Sequence, residues 1–217
     1  PPSVQHTYAD GPDVYAITAT ATDEDGSYIA SAMAEAGDLD GVFNSIGWIT
    51  ADPASVYDYG YATALQSDGK IILVGYGQDN AARVLRYTTT GSLDSSFGTG
   101  GLAVLAGFRA LSVALDGDGR IVIAGYVHNG ANSDFALARY NADGTLDASF
   151  GVGGIQSTDF GSEDFGQSVT VQSDGKIVVA GYAHTGFDGT SFAVARYHAD
   201  GTLDASFGTA GKLTTDF

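Results

Sequence analysis

The sequence predicts an all-β protein that is built from repeated four-stranded antiparallel units. A segment at residues 138–151 returns almost unchanged at residues 195–208, and a more divergent copy occupies residues 85–98. The conserved phenylalanine of these copies recurs at intervals of 53 and 57 residues. A period of about 50 residues is typical of stacked supersecondary units. No window shows sustained helical periodicity, so we expect the units to consist of strands.

Each unit contains four predicted strands in the same order. An alternating strand leads into an Asp-Gly pair, which is a strong hairpin signal between apolar runs. The β-branched run that follows predicts a buried second strand. A third strand ends in Arg-Tyr, and a fourth follows a Phe-Gly corner. In the most regular unit these strands are residues 168–171, 177–182, 192–197 and 211–216. Four antiparallel strands in about 50 residues are typical of a β-propeller blade.

The repeat divides the chain into two predicted regions. Residues 37–217 form propeller units at about 52–106, 107–160 and 161–217, preceded by one isolated strand near 46–51. Residues 1–36 do not fit the repeat and contain a half-buried strand of another domain. Since a closed ring needs about four to eight blades, we expect a segment of a longer protein, or homo-oligomers that pair through open blade edges.

Composition excludes several classes of function. Lys and Arg number 9 against 26 Asp and Glu, for a formal net charge of −17. A surface this acidic repels nucleic acid and anionic lipid and suits cations. The chain has no Cys, which excludes disulfide scaffolds and thiolate zinc sites. No apolar run approaches the roughly 18 residues of a membrane helix, so we expect no membrane insertion.

The third unit resembles the bacterial delta-60 repeat. It reads Gln-Ser-Asp-Gly-Lys-Ile-Val-Val-Ala-Gly-Tyr at 172–182, Phe-Ala-Val-Ala-Arg-Tyr at 192–197 and Ala-Asp-Gly-Thr-Leu-Asp-Ala-Ser-Phe-Gly at 199–208. The resemblance covers about residues 38–217, although the first unit loses the Asp of its Asp-Gly turn at residues 88–91. It implies a β-propeller of large secreted or surface proteins that has no assigned chemistry.

The N-terminal region resembles the C-terminal part of a PKD-type immunoglobulin-like domain. The residues that carry the resemblance are His6, Tyr8, the strand at 15–18 and the Asp-Glu-Asp-Gly end at 23–26. The Trp-x-Asp-Gly segment of that family is absent. Such domains act as spacers in exported bacterial proteins, so the combination implies an extracellular or cell-surface location.

Two turns carry candidate calcium ligands. Asn141, Asp143 and Asp147 place three side-chain oxygens around one glycine turn, and Asp200 and Asp204 occupy the matching positions in the next unit. Calcium binds oxygen ligands in short loops, but the full twelve-residue calcium loop is missing. The alternative is an Asx-turn, in which the side chain caps its own backbone. Calcium is therefore the only cofactor that we consider.

An arginine precedes the tyrosine that ends every third strand. An aspartate follows eight residues later, across a turn, which predicts a buried or half-buried ion pair in each blade. The pairs are Arg86–Asp94, Arg139–Asp147 and Arg196–Asp204. A row of ligand-binding arginines is the alternative.

Aromatic residues fall into a recurrent set and a loop set. Tyr76, Tyr126 and Tyr182 recur in every unit, which indicates packing between blades. The cluster of Tyr57, Tyr59 and Tyr61 does not recur and is a candidate for carbohydrate contact.

The loops between the second and third strands vary most. They are residues 77–82, 127–133 and 183–191, and binding usually resides on variable loops of a repeated scaffold. No motif of a serine hydrolase, zinc protease or nucleotide-binding loop occurs. The sequence therefore predicts a non-catalytic extracellular structural or adhesive module that displays loops to a protein or glycan. The alternatives are a carbohydrate-active or other hydrolytic enzyme and a calcium-stabilised binding module.

Overall fold

A computed structural model describes residues 6–8, 15–17, 43–45, 49–50, 58–184 and 189–216. The chain divides into two compact units, residues 1–50 and 51–217. In the first unit β1 (His6–Tyr8) pairs antiparallel with β2 (Tyr15–Ile17), and Phe43–Ser45 forms a short 3-10 turn.

Several predicted features lie outside the described residues. They are the acidic end at 23–26, Tyr57 and most of the isolated strand near 46–51, of which only Ile49 and Thr50 are described, outside any strand. No helix among the described residues has the length and apolar character needed to cross a membrane.

The second unit contains three antiparallel sheets, each a four-stranded meander. Blade 1 consists of β3 (Asp58–Leu65), β4 (Ile71–Gly77), β5 (Ala81–Tyr87) and β6 (Leu102–Ala106). Blade 2 consists of β7 (Phe108–Leu115), β8 (Ile121–His128), β9 (Ser133–Tyr140) and β10 (Ile155–Thr158). Blade 3 consists of β11 (Asp164–Val171), β12 (Ile177–His184), β13 (Thr190–Tyr197) and β14 (Lys212–Thr215). The predicted all-β fold of four-stranded propeller blades is confirmed.

The blades pack face to face. Strand β7 lies against β3 and β4, and β11 lies against β7 and β8. Successive residues of β8 therefore enter different cores: Ile121 and Ile123 pack towards blade 1, whereas Val122 and Ala124 pack towards blade 3. All four side chains are fully buried. Burial on both faces explains why the second strand is a continuous apolar run and not an alternating one.

The first strand of every blade carries a bulge at the same place. The pairing shifts between Gly60 and Ala62 in β3, and the corresponding shifts occur in β7 and β11. A glycine of the second strand lies opposite the bulge in each blade, at Gly75, Gly125 and Gly181. These glycines let the two backbones approach closely, which bends the first strand.

Candidate functional site

The recurrent arginine lies beside its aspartate and under an aromatic ring. In blade 1, Arg86 Nε donates to Asp94 Oδ2 at 2.9 Å and Nη2 donates to Ser96 Oγ at 3.0 Å. The guanidinium lies 4.8 Å from the centroid of the Phe97 ring. The equivalent Nε–Oδ2 distances are 2.8 Å for Arg139–Asp147 and 2.8 Å for Arg196–Asp204. The structure thus brings together the residues of all three predicted pairs.

The same arginine also holds the neighbouring blade. Arg86 Nη1 donates to the backbone carbonyl of Ala142, and the Gly98 amide donates to the carbonyl of Asp143 at 2.7 Å. The Asp-Gly turn of blade 2 is therefore fastened to the Phe-Gly corner of blade 1. Between blades 2 and 3 the matching contacts are Arg139 to Ala199 and Gly151 to Asp200. We call this arrangement of arginine, corner and following turn the blade junction.

The blade junction requires glycine in the inserted turn. Gly144 has a φ of +86°, and a Cβ there would lie 2.6 Å from the Gly98 nitrogen and 3.0 Å from the Phe97 ring. Both the backbone conformation and the close approach exclude a larger residue. The turn at Asp143-Gly144, predicted from the sequence as a turn alone, thus also contacts the preceding blade. The sequence did not reveal this contact because the acceptors are backbone carbonyls.

Hydrogen bonds keep the paired aspartates ionised. The Ser96 hydroxyl, together with the Ser96 amide, holds the pKa of Asp94 well below its usual range. The Ser149 hydroxyl has the same effect on the pKa of Asp147. The aspartate therefore offers a fixed negative partner to the arginine at neutral pH.

The predicted calcium ligands have partners within their own turns. Asp143 Oδ1 accepts from the Thr145 amide at 2.9 Å and from the Thr145 hydroxyl at 2.6 Å, and Asn141 Nδ2 donates to that hydroxyl at 3.0 Å. Asp200 binds Thr202 in the same way. The other two predicted ligands are the arginine-paired aspartates of blades 2 and 3. Calcium at these turns stays a prediction, and the contacts are those of Asx-turns.

Aromatic and cationic side chains form a continuous row across the three blades. The row starts with half-exposed tyrosines: Tyr61 stacks on Tyr76 with ring centroids 5.1 Å apart, and Tyr59 lies 6.1 Å from Tyr76. Arg109 then lies 5.2 Å from the Tyr76 ring and 5.5 Å from the Tyr126 ring, which links blade 1 to blade 2.

The row continues from blade 2 into blade 3. Tyr126 meets Phe165 edge-on at 4.7 Å, and Phe165 lies 5.1 Å from Tyr182, whose ring is 6.1 Å from His184. We call the whole set the aromatic row: Tyr59, Tyr61, Tyr76, Arg109, Tyr126, Phe165, Tyr182 and His184. The recurrent tyrosines thus contact neighbouring blades and also line one end of the three blades.

A cavity of about 290 Å³ adjoins the aromatic row between the loops of blades 1 and 2. Arg109 spans it, since Nε donates to Asn80 Oδ1 at 2.9 Å and Nη1 donates to the Tyr126 hydroxyl at 2.8 Å. The lining residues are Asn80, Gly107, Arg109, Tyr126, His128 and Ser133. Two of the three variable loops thus border a cavity to which Tyr126 of the aromatic row contributes a wall.

Three segments of the chain match a family model described as a domain of unknown function (DUF5122) beta-propeller. The matched residues are 66–97, 117–150 and 172–207. Each match runs from the first Asp-Gly turn of a blade to the phenylalanine of its corner. The matches support a β-propeller repeat family. No curated protein matches the chain.

Proposed function

From β-propeller repeats whose variable loops emerge beside an aromatic row, we propose a non-catalytic extracellular module that displays these loops to a partner. The observation that carries the proposal is the aromatic row, because it crosses all three blades at the loop-bearing end. The extracellular location rests on the resemblance of the repeats to the delta-60 type and of residues 1–36 to the tail of a PKD-type domain. Rigid blades with variable loops are a common arrangement for binding.

A neutral glycan is the partner class that this surface favours. Tyr59 and Tyr61 are each 48% exposed, and their rings offer flat apolar faces with polar hydroxyl groups at the edge. Arg109 lies over the neighbouring Tyr76 ring, and the guanidinium N–H groups that it does not use for Asn80 and Tyr126 suit sugar hydroxyl groups. The formal net charge of −17 repels anionic partners. A protein is the alternative partner, and the experiment below distinguishes it from a glycan.

Replacing Tyr61 with alanine is expected to weaken glycan binding by roughly tenfold or more, the usual loss when a central aromatic anchor is truncated. The measurement is a glycan array with the purified chain, followed by isothermal titration of the best neutral ligand. Leu65→Ala is the matched control, since Leu65 is 71% exposed on the same strand but lies outside the aromatic row. An array without glycan binding, or equal affinities for the native chain and Tyr61→Ala, would reject the glycan.

A specific observation also favours association between copies of the chain. Phe97 and Phe150 are fully buried beneath the turn of the next blade, whereas Phe207 of blade 3 is only partly buried. The side chain of Arg196 is 23% exposed, against 6% for Arg86. The blade junction of blade 3 is thus open among the described residues.

The turn of blade 1 has the shape that this open junction accepts. Gly91 has a φ of +84°, close to the +86° of Gly144. The junction binds backbone carbonyls, so the missing Asp side chain in the turn at residues 88–91 does not remove an acceptor. We therefore propose that blade 1 of a second copy docks head to tail on blade 3.

Arg196→Met is expected to shift the chain from oligomer to monomer in sedimentation velocity, with a dissociation constant raised roughly tenfold or more, because the variant loses the charged donor of the open junction. Arg120→Met removes the same charge from a turn of blade 2 and serves as the control. A native chain that remains monomeric at all concentrations would contradict the docking.

A further inference from the structure

Three aspartates meet at the loop-bearing end, where blade 2 passes into blade 3. One carboxylate oxygen of each of Asp134, Asp159 and Asp164 lies within 4.8 Å of those of the other two. Phe135 of β9 pairs with Thr158 of β10; Asp134 directly precedes Phe135, and Asp159 directly follows Thr158. Asp164 begins β11. The topology thus brings one carboxylate from each of three segments to one point.

Two of these carboxylates are buried and incompletely paired. Asp164 is 0% exposed and Asp134 is 6% exposed, and the Oδ1 atom of each has no hydrogen-bond partner. Their Oδ2 atoms accept from the Phe160 amide at 2.5 Å and from Asn129 Nδ2 at 2.9 Å. Buried charges without partners are costly, so a compensating group is expected.

The described part of the chain supplies only the distant charge of Lys212, which acts on Asp164 without pairing with it. No Lys, Arg or His there forms an ion pair with any of the three carboxylates, and Lys212 Nζ donates to the backbone carbonyl of Asp159 at 2.8 Å. Burial raises the pKa of Asp164 to about 6, and the charges of Asp159 and Asp134 add to this shift. Three carboxylates so close together repel one another in their ionised forms.

Blade 1 shows how a half-buried carboxylate at the same position is paired within the chain. Asp58 begins β3 as Asp164 begins β11, and its Oδ1 lies 3.7 Å from Arg83 Nε. In blade 1, Arg83 pairs with Gly75 across the second and third strands. The equivalent pair in blade 3 is Ala193 with Gly181, so blade 3 has alanine in place of this arginine. Among the described residues of blade 3, no arginine takes this place, and Lys212 forms no ion pair with the three carboxylates.

We propose that Asp134, Asp159 and Asp164 bind one calcium ion. The site is distinct from the glycine turns predicted from the sequence. Two ligands on opposite sides of a calcium ion at 2.3–2.6 Å are about 4.8 Å apart, so oxygens within that distance of one another can reach a single ion. Three carboxylates favour calcium over magnesium, which is usually bound through one or two carboxylates and retains several waters.

The ion would fasten the loop-bearing end. It would join three segments: the linker between blades 2 and 3, which carries Asp159, the start of β11 at Asp164, and the start of β9 at Asp134. Asn129 of the blade 2 loop donates to Asp134, and Asn132 donates to the carbonyl of Ser162 in the linker. Calcium binding would therefore order a variable loop. The proposal of this site rests on the three aspartates and does not depend on the proposed glycan.

The test is isothermal titration of the chelator-treated chain with calcium chloride, together with thermal melting. We expect one calcium per chain and a Tm that rises by about 5–10 °C when free calcium is about 100 times Kd. Asp164→Asn and Asp134→Asn should each lose this response. Asp174→Asn is the control, because Asp174 lies in an exposed turn outside both candidate calcium sites and already binds Lys176.

Metal-free melting separates loss of the site from loss of the fold. Asp164→Asn keeps an acceptor for the Phe160 amide and removes one buried charge, so its metal-free Tm should equal or exceed that of the native chain. A calcium response that survives in both site variants, or is absent from the native chain, would overturn the site. Tighter binding of magnesium would overturn calcium as its ion. No glycan enters this experiment, so its failure is distinguishable from failure of the proposed function.

Discussion

Gly125→Ala is expected to destabilise the chain by about 4 kcal/mol or more. A Cβ at this position would lie 1.8 Å from the carbonyl oxygen of Arg109 and 2.9 Å from its carbonyl carbon. Both obstacles are backbone atoms, which cannot rotate away as a side chain would. Strand β7 would have to separate from β8 in a blade that is packed on both faces, and such interiors tolerate little extra volume.

Urea denaturation followed by circular dichroism measures this effect. Gly117→Ala is the matched control in the same blade, because a Cβ on Gly117 would meet nothing within 4 Å. The control should unfold within about 0.5 kcal/mol of the native chain. Equal midpoints for Gly125→Ala and Gly117→Ala would show that the two strands are not in close contact at the bulge.

The bulge opposite Gly125 also connects stability with the loop-bearing end. Arg109, whose carbonyl faces Gly125, extends its side chain into the aromatic row and bonds to the Tyr126 hydroxyl. Tyr59 and Phe165 occupy the matching positions in blades 1 and 3. The first strand of each blade thus supplies the residue before its bulge to the aromatic row, and in blade 1 it also supplies Tyr61 within the bulge. The close glycine contact therefore positions the candidate binding surface.

The repeat allowed most strands to be predicted because the same signals occur three times. In blade 3 the predicted second strand at 177–182 falls within Ile177–His184, and the third at 192–197 falls within Thr190–Tyr197. The first strand was predicted at 168–171 but spans Asp164–Val171. Its first half was missed because the bulge between Gly166 and Ser168 interrupts the alternation of apolar and polar residues.

The residues of the candidate sites were only partly predictable. The arginine and aspartate recur, so their pairing could be read from spacing alone. The aspartates at 134, 159 and 164 do not form one recurring set. Ala81 and Ser191 stand at the positions that match Asp134, whereas Asp159 recurs as Asp216 and Asp164 matches Asp58. They converge through strand pairing and the path of a linker, which a linear pattern does not contain. Comparing the units for unmatched charged residues flags only Asp134.

Arg139→Met is expected to lower stability by about 3 kcal/mol and Tm by about 6–12 °C. The side chains of Arg139 and Asp147 are 4% and 11% exposed, so loss of the cation leaves a nearly buried carboxylate without its main partner. Arg120 Nη1 remains 3.7 Å from Asp147, which holds the cost near the lower end of the range for broken buried pairs. Methionine preserves most of the contact with Phe150. The lost stability therefore comes from the missing charge and hydrogen bonds and not from a cavity.

Arg196→Met is the matched control for this variant. Arg196 has the same aspartate and phenylalanine partners within its blade, but among the described residues it bonds to no following turn. The difference between the two variants therefore isolates the contact that Arg139 makes with the carbonyl of Ala199. Melting should be measured at a concentration where the chain is monomeric, so that association through blade 3 does not contribute.

Hydrogen exchange locates the loss within the molecule. The Gly151 amide donates to the carbonyl of Asp200 across the same blade junction. In Arg139→Met this amide should exchange faster than the strand amides of blade 2, because the turn of blade 3 separates before the sheets unfold. If both arginine variants lost equal stability and Gly151 kept its protection, the recurrent arginine would act only within its own blade. Cohesion between blades would then rest on the apolar faces alone.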